Sequence, residues 1–107
     1  MRNNHKAAYE DNDFLAALTL LSHDPDLLNE ILPQAHAGNL HAQYAAGLIY
    51  AEGRGVEPDA VAGYVWLSRA LAQGDQDAGM LRNILMVNMS PAEITRAEQR
   101  LAEEGPQ

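Results

Sequence analysis

The feature that most constrains this chain is a spacing. Ala37-Gly38-Asn39 opens a stretch that closes on Gln73-Gly74-Asp75, so a glycine followed by a helix-capping residue recurs 36 positions on, at 39 and 75. With residues 37–50 laid over 73–86, Ala42 meets Ala78, Tyr44 meets Met80, Leu48 meets Ile84 and Ile49 meets Leu85. Internal periods of this size mark stacked repeats. A helical hairpin cannot bury its apolar face alone, so several must stack. The spacing predicts an all-α, solenoid-type helical-repeat domain of about six antiparallel helices. The 107 residues leave room for one domain and a small core.

Local signals place the helices. Residues 1–10 lack periodicity and are expected to fray. A first helix is predicted over 11–21, with Phe14, Leu15, Leu18 and Leu21 as its apolar stripe. Asp24-Pro25 starts a second, carrying Leu27, Leu28, Ile31, Leu32 and Ala35. Pro33 is expected to kink or break it near Leu32, because an interior proline loses a hydrogen bond and clashes one turn back. Gly38 stops it and Asn39 caps the third helix, in which Gly47 predicts a close helix crossing. Gly53 and Gly55 bracket a turn, and Pro58-Asp59 starts the fourth helix. That helix has a broad apolar face from Val61 to Leu71, with Trp66 expected in the core. Asp75 caps a fifth over 76–87. Ser90-Pro91-Ala92-Glu93 spells a capping box for a sixth, 91–103, which closes the array.

The segment 37–74 resembles the Sel-one-like repeat family, relatives of tetratricopeptide repeats. The likeness rests on Ala37-Gly38-Asn39, Ala42-Gln43, Ala46-Gly47 with Tyr50, Gly53-Arg54-Gly55-Val56, Asp59, Ala62, Trp66 and Ala70 to Gly74. It covers one full repeat, with degenerate half-repeats on each side. Leu71 stands where the family prefers a second alanine, and Asn83 where the repeat glycine would be. The resemblance implies an α-solenoid that serves as an adaptor or scaffold, mostly in bacteria, and it implies no catalytic residues.

The residues that could carry chemistry do not converge. His36 and His41 are five apart across a helix break, not at the spacing of helical metal ligands. Ser22-His23-Asp24 lists triad residue types, but neighbours in sequence point different ways. Gly53-Arg54-Gly55 is too short for a phosphate loop. There are no cysteines, which excludes disulfides and thiolate chemistry. The expectation is a non-enzyme with no cofactor and no metal. A net charge of −8 argues against nucleic acid, and no apolar run is long enough for a membrane span. MRNNHKAAYEDND shows no apolar signal segment, so a cytoplasmic location is expected, with the periplasm left open.

What is left is a surface. The first helix of each pair should line the inner side of the stack. His41, Tyr44, Leu48, Ala51 and Glu52 share one side of the third helix, and the 36-residue shift gives Asp77, Met80, Ile84, Val87 and Asn88 on the fifth. These form a candidate protein-binding groove with an apolar floor, fit for an extended peptide or an amphipathic helix. Met80, Met86 and Met89 read equally as an adaptable stripe or as core. The expected partner is another protein, or a second copy in a homodimer. The alternative is a small acidic regulator or inhibitor, immunity- or antitoxin-like, steered to a basic partner by its charge.

Overall fold

The structure, a computed structural model, describes residues 25–105. The helix predicted over 11–21 lies outside them. The described chain forms α1 (Pro25–His36), α2 (Leu40–Glu52), α3 (Ala60–Ala72), α4 (Gln76–Val87) and α5 (Pro91–Glu104). No strand occurs among these residues, so the all-α expectation holds. α1 packs on α2, α2 on α3, and α3 on both α4 and α5.

The repeat is visible in hydrogen bonds. At the α1–α2 junction the Gly38 N–H donates to Ala35, the Asn39 N–H donates to Gln34, and the Asn39 side chain accepts from Ala42 N–H at 2.9 Å. At the α3–α4 junction the Gly74 N–H donates to Leu71, the Asp75 N–H donates to Ala70, and the Asp75 side chain accepts from Ala78 N–H at 3.1 Å. Every donor and acceptor recurs 36 positions on. Gly38 and Gly74 both hold positive φ, 98° and 105°, a region closed to most side chains. One turn chemistry thus ends one helix and starts the next, twice.

α3 is the axis, buried at every residue from 61 to 70. On one side Trp66 packs with Leu28, Ile31 and Ala35 of α1 and with Ala42, Ala45, Ala46 and Ile49 of α2. On another, Val61, Tyr64 and Val65 meet Met89, Ala97, Ile94 and Leu101. The α2–α3 crossing is close because Gly47 and Gly63 lie in it. A Cβ on Gly47 would sit 2.7 Å from Leu67 Cγ, and one on Gly63 would sit 3.2 Å from the Gly47 carbonyl oxygen. The close-crossing expectation for Gly47 therefore holds. Gln43 is fully buried between the helix ends: it donates to the Ala35 carbonyl and accepts from Gln73.

Of the kink or break expected near Leu32, the break does not occur: α1 runs unbroken through Pro33. Pro33 and Asn29, the residue whose carbonyl loses its partner, are both exposed. Water can satisfy that carbonyl, and no buried group is orphaned. The capping box at Ser90 forms as expected, and α5 buries only Ala97 fully, leaving Thr95, Arg96, Gln99 and Glu103 in solvent.

Candidate functional site

Helices α2 and α4 flank a cleft whose back wall is α3. It has a volume of about 170 Å³ and is lined by Leu48, Ala51 and Glu52 from α2, Leu67 from α3, Leu81, Ile84 and Leu85 from α4, and Asn88, the C-cap of α4. The small residues of α2 let α3 come close behind it, which sets Leu67 as the floor. Toward the start of α2, Leu40 and Tyr44 continue the wall against Leu67, Ala70 and Ala78.

Among the described residues, the large hydrophobic side chains left in solvent are Met80, Ile84 and Val87, at 63%, 61% and 82% exposure. They fall at i, i+4 and i+7, so all three share one face of α4. Their repeat mates behave differently. Leu48 is 5% exposed and Tyr44 is half-buried, although they hold the positions of Ile84 and Met80 one repeat earlier. α2 faces α4 across the cleft; α4 has no further inner helix beyond it among the described residues.

Charge is distributed unevenly over this surface. α2 carries no Lys or Arg, and the one cation of α4, Arg82, turns away to Ser68 (3.3 Å) and to the ring of Tyr64. Burial, followed by the nearby carboxylates of Asp77, Asp75 and Glu52, raises the Tyr44 hydroxyl above its ordinary pKa of 10.0. Glu52 is paired with Arg54 at 2.6 Å. Asp77 is exposed. His41 is half-buried, with no hydrogen-bond partner for Nδ1.

Of the sequence-predicted groove residues, Leu48, Ala51, Glu52, Ile84 and Asn88 line the cleft together. Tyr44 extends its wall, and Asp77 reaches Tyr44 through charge. Met80 and Val87 stand outside the cleft on the open ridge, and His41 does not line it. Of the three methionines, Met89 is core, Met86 is half-buried and Met80 is exposed. Leu67, Leu81 and Leu85 were missed as lining residues. The 81 and 85 pair could have been found, because they sit one position past Met80 and Ile84 at helical spacing.

A larger opening, about 540 Å³, lies between the ends of α3 and α5, lined by Ser68, Arg69, Ala72, Gln73, Leu101, Ala102 and Gly105. Its charged group is already committed. Arg69 is buried, donates to Glu104, and lies 4.7 Å from the Trp66 ring centre. Among the described residues no three His, Asp or Glu side chains gather to hold a metal, and no helix is long and apolar enough to cross a membrane.

Helices packed on their sequence neighbours, with one junction reproduced 36 positions later, define a helical-repeat protein. The chain is 36% identical over 74 residues to the alginate biosynthesis protein AlgK of Azotobacter vinelandii, a match covering 69% of this chain and 16% of that protein. No family model and no solved structure matches the chain.

Proposed function

We propose that this chain is a protein-interaction module, a Sel-one-like repeat unit that holds a segment of another protein along the cleft between α2 and α4. The observation that carries this reading is that the open large hydrophobics of the described residues all lie on one stripe of α4 beside that cleft. Scattered apolar side chains need no explanation, but a contiguous ridge next to an apolar cleft is how a docking surface looks. His41, Tyr44, Leu48, Glu52, Asp77, Met80, Ile84 and Val87 form the binding face. The likeness to a part of a much longer protein supports a module, and a binding role fits better than catalysis. Alginate chemistry does not follow for this chain. α5, polar on its outer face, serves as the closing helix of the outer layer.

The test is affinity capture with the full chain from its source cell, comparing wild type with Tyr44→Ala/Met80→Ala. The double variant should keep its helical circular dichroism, since Met80 is exposed and Tyr44 only half-buried. Capture should weaken by about 2 kcal/mol or more if both are anchors. Undiminished capture with intact folding moves the binding surface elsewhere. A captured enzyme whose activity is blocked by the chain would favour the acidic-inhibitor reading over the scaffold.

A further inference from the structure

We infer that the ridge on α4 is the seat of a third inner helix supplied by a partner protein, an amphipathic helix with two leucine-like residues at i and i+4 and a cationic side chain facing Asp77. This deepens the groove reading and rests on it. The first argument is internal symmetry. Facing α2 across the cleft, the inner helix α4 presents Leu81 and Leu85, which pack on Leu67, Ala70 and Ala78 as Tyr44 does and line the cleft with Leu48. Met80 and Ile84 repeat Tyr44 and Leu48 yet stay 63% and 61% exposed, although Ile84 also lines the cleft. A helix lying along α4 as α4 lies along α2 would bring the same i, i+4 pair to them.

The second argument decides between a helix and an extended segment. The backbone of α2 and α4 is engaged in its own helical bonds, and no strand edge occurs among the described residues. An extended peptide laid on the ridge would leave its N–H and C=O groups facing Met80, Ile84 and Val87 without partners. That is costly in an apolar setting. A helix satisfies its backbone internally and needs only side chains that fit.

The third argument is charge. Asp75 and Asp77 lie at the start of α4, no cation of α2 or α4 faces them, and the chain carries −8 overall. A second copy of the chain would bring like charge to the same place. A cation on the partner relieves it.

The experiment titrates full-length protein against three labelled model peptides: an amphipathic Lys/Leu helix, a Glu/Leu helix of the same pattern, and a scrambled Lys/Leu peptide with no apolar stripe. The Lys/Leu helix should bind, the other two at least tenfold more weakly, a factor worth about 1.4 kcal/mol. Ile84→Ser should weaken it about tenfold, as loss of a central anchor does. Asp77→Asn should weaken it several-fold, while Glu103→Gln, an equal charge change on the outer face of α5, should not. Preference for the Glu/Leu helix, equal binding of the scrambled peptide, or equal effects of Asp77→Asn and Glu103→Gln overturns the inference and leaves the groove reading standing. Binding of the Lys/Leu helix that ignores both Ile84→Ser and Tyr44→Ala removes the groove reading with it. A dimer of the free protein at neutral pH and low salt, where the charge of −8 on each copy is unscreened, that Ile84→Ser dissociates would give the seat to a second copy and overturn the inference.

Discussion

Tyr44 is the residue on which burial and charge push the same way. Burial, then Asp77, Asp75 and Glu52, all favour its neutral hydroxyl. Its folded pKa lies above the unfolded value, so the stabilisation is fully present below pH 10 and is lost as pH rises through the folded pKa. In an NMR titration Tyr44 should ionise later than free tyrosine, and Asp77→Asn should bring it down. A normal titration in wild type would contradict both the burial of the hydroxyl and the carboxylates facing it. At Trp66 the large effect is on packing. Its truncation to alanine should cost about 3–5 kcal/mol, a large share of the roughly 5–15 kcal/mol of a typical domain. Thermal melts would show it; a shift of only a degree or two would contradict the burial. A subtler pair is Leu71 and Gly79. One repeat earlier the same positions hold Ala35 and Gln43. Where α1 has a small residue and α2 a long one, α3 has the long one and α4 the glycine, whose added Cβ would meet Leu71 Cδ1 at 2.9 Å. The sequence shows Leu71 as a departure from pattern; only the structure shows Gly79 making room for it. Gly79→Ala should therefore stabilise fully, by about 1 kcal/mol of helix propensity, only in a Leu71→Ala background. Denaturant melts of the two singles and the double would measure the coupling.

Elements were the most legible level because their ends are local chemistry. Asn39, Asp59, Asp75 and Ser90 each sit at an N-cap, and each accepts the backbone N–H three residues on. That rule needs no tertiary context. Ser90→Ala should accordingly cost about 1 kcal/mol, read as a lowered denaturant midpoint at unchanged slope. The break expected at Pro33 did not form for the opposite reason: its cost depends on whether the orphaned carbonyl is buried, and that is set by the packing of α1. The α3–α5 seam was not legible at all, since Arg69 and Glu104 are 35 positions apart with no period linking them. There burial pushes the Glu104 carboxyl up, and hydrogen bonds and charge from Arg69, then Arg100, outweigh it and hold its pKa below the ordinary 4.5. The pair's contribution is present above the unfolded pKa and is lost as pH falls through the folded one. Glu104→Gln should thus flatten the acid limb of the stability curve, and by little, because that carboxylate is 39% exposed and screened.

At the scale of the molecule, burial of the repeat is set by neighbours, which the sequence pattern does not contain. The 36-residue period places Tyr44 with Met80 and Leu48 with Ile84 as equivalents, yet one pair is covered and the other is open. Among the described residues the two layers differ: α5 covers α3 with a polar back, whereas the ridge of α4 is bare. Two forces then act on a pair of molecules. The ridge favours contact, and a charge of −8 on each copy opposes it. At low salt repulsion reaches tens of ångströms, and at about 1 M its range falls to roughly 3 Å while apolar attraction persists. The protein should sediment as a monomer at neutral pH and low salt, and show concentration-dependent association as salt rises. Ile84→Glu should abolish that association without changing the helical spectrum, because the side chain is already in solvent. Glu103→Gln should leave the association in place. Should Ile84→Glu associate as wild type does, the attraction between copies comes from another face, and the bare ridge is not what draws molecules together.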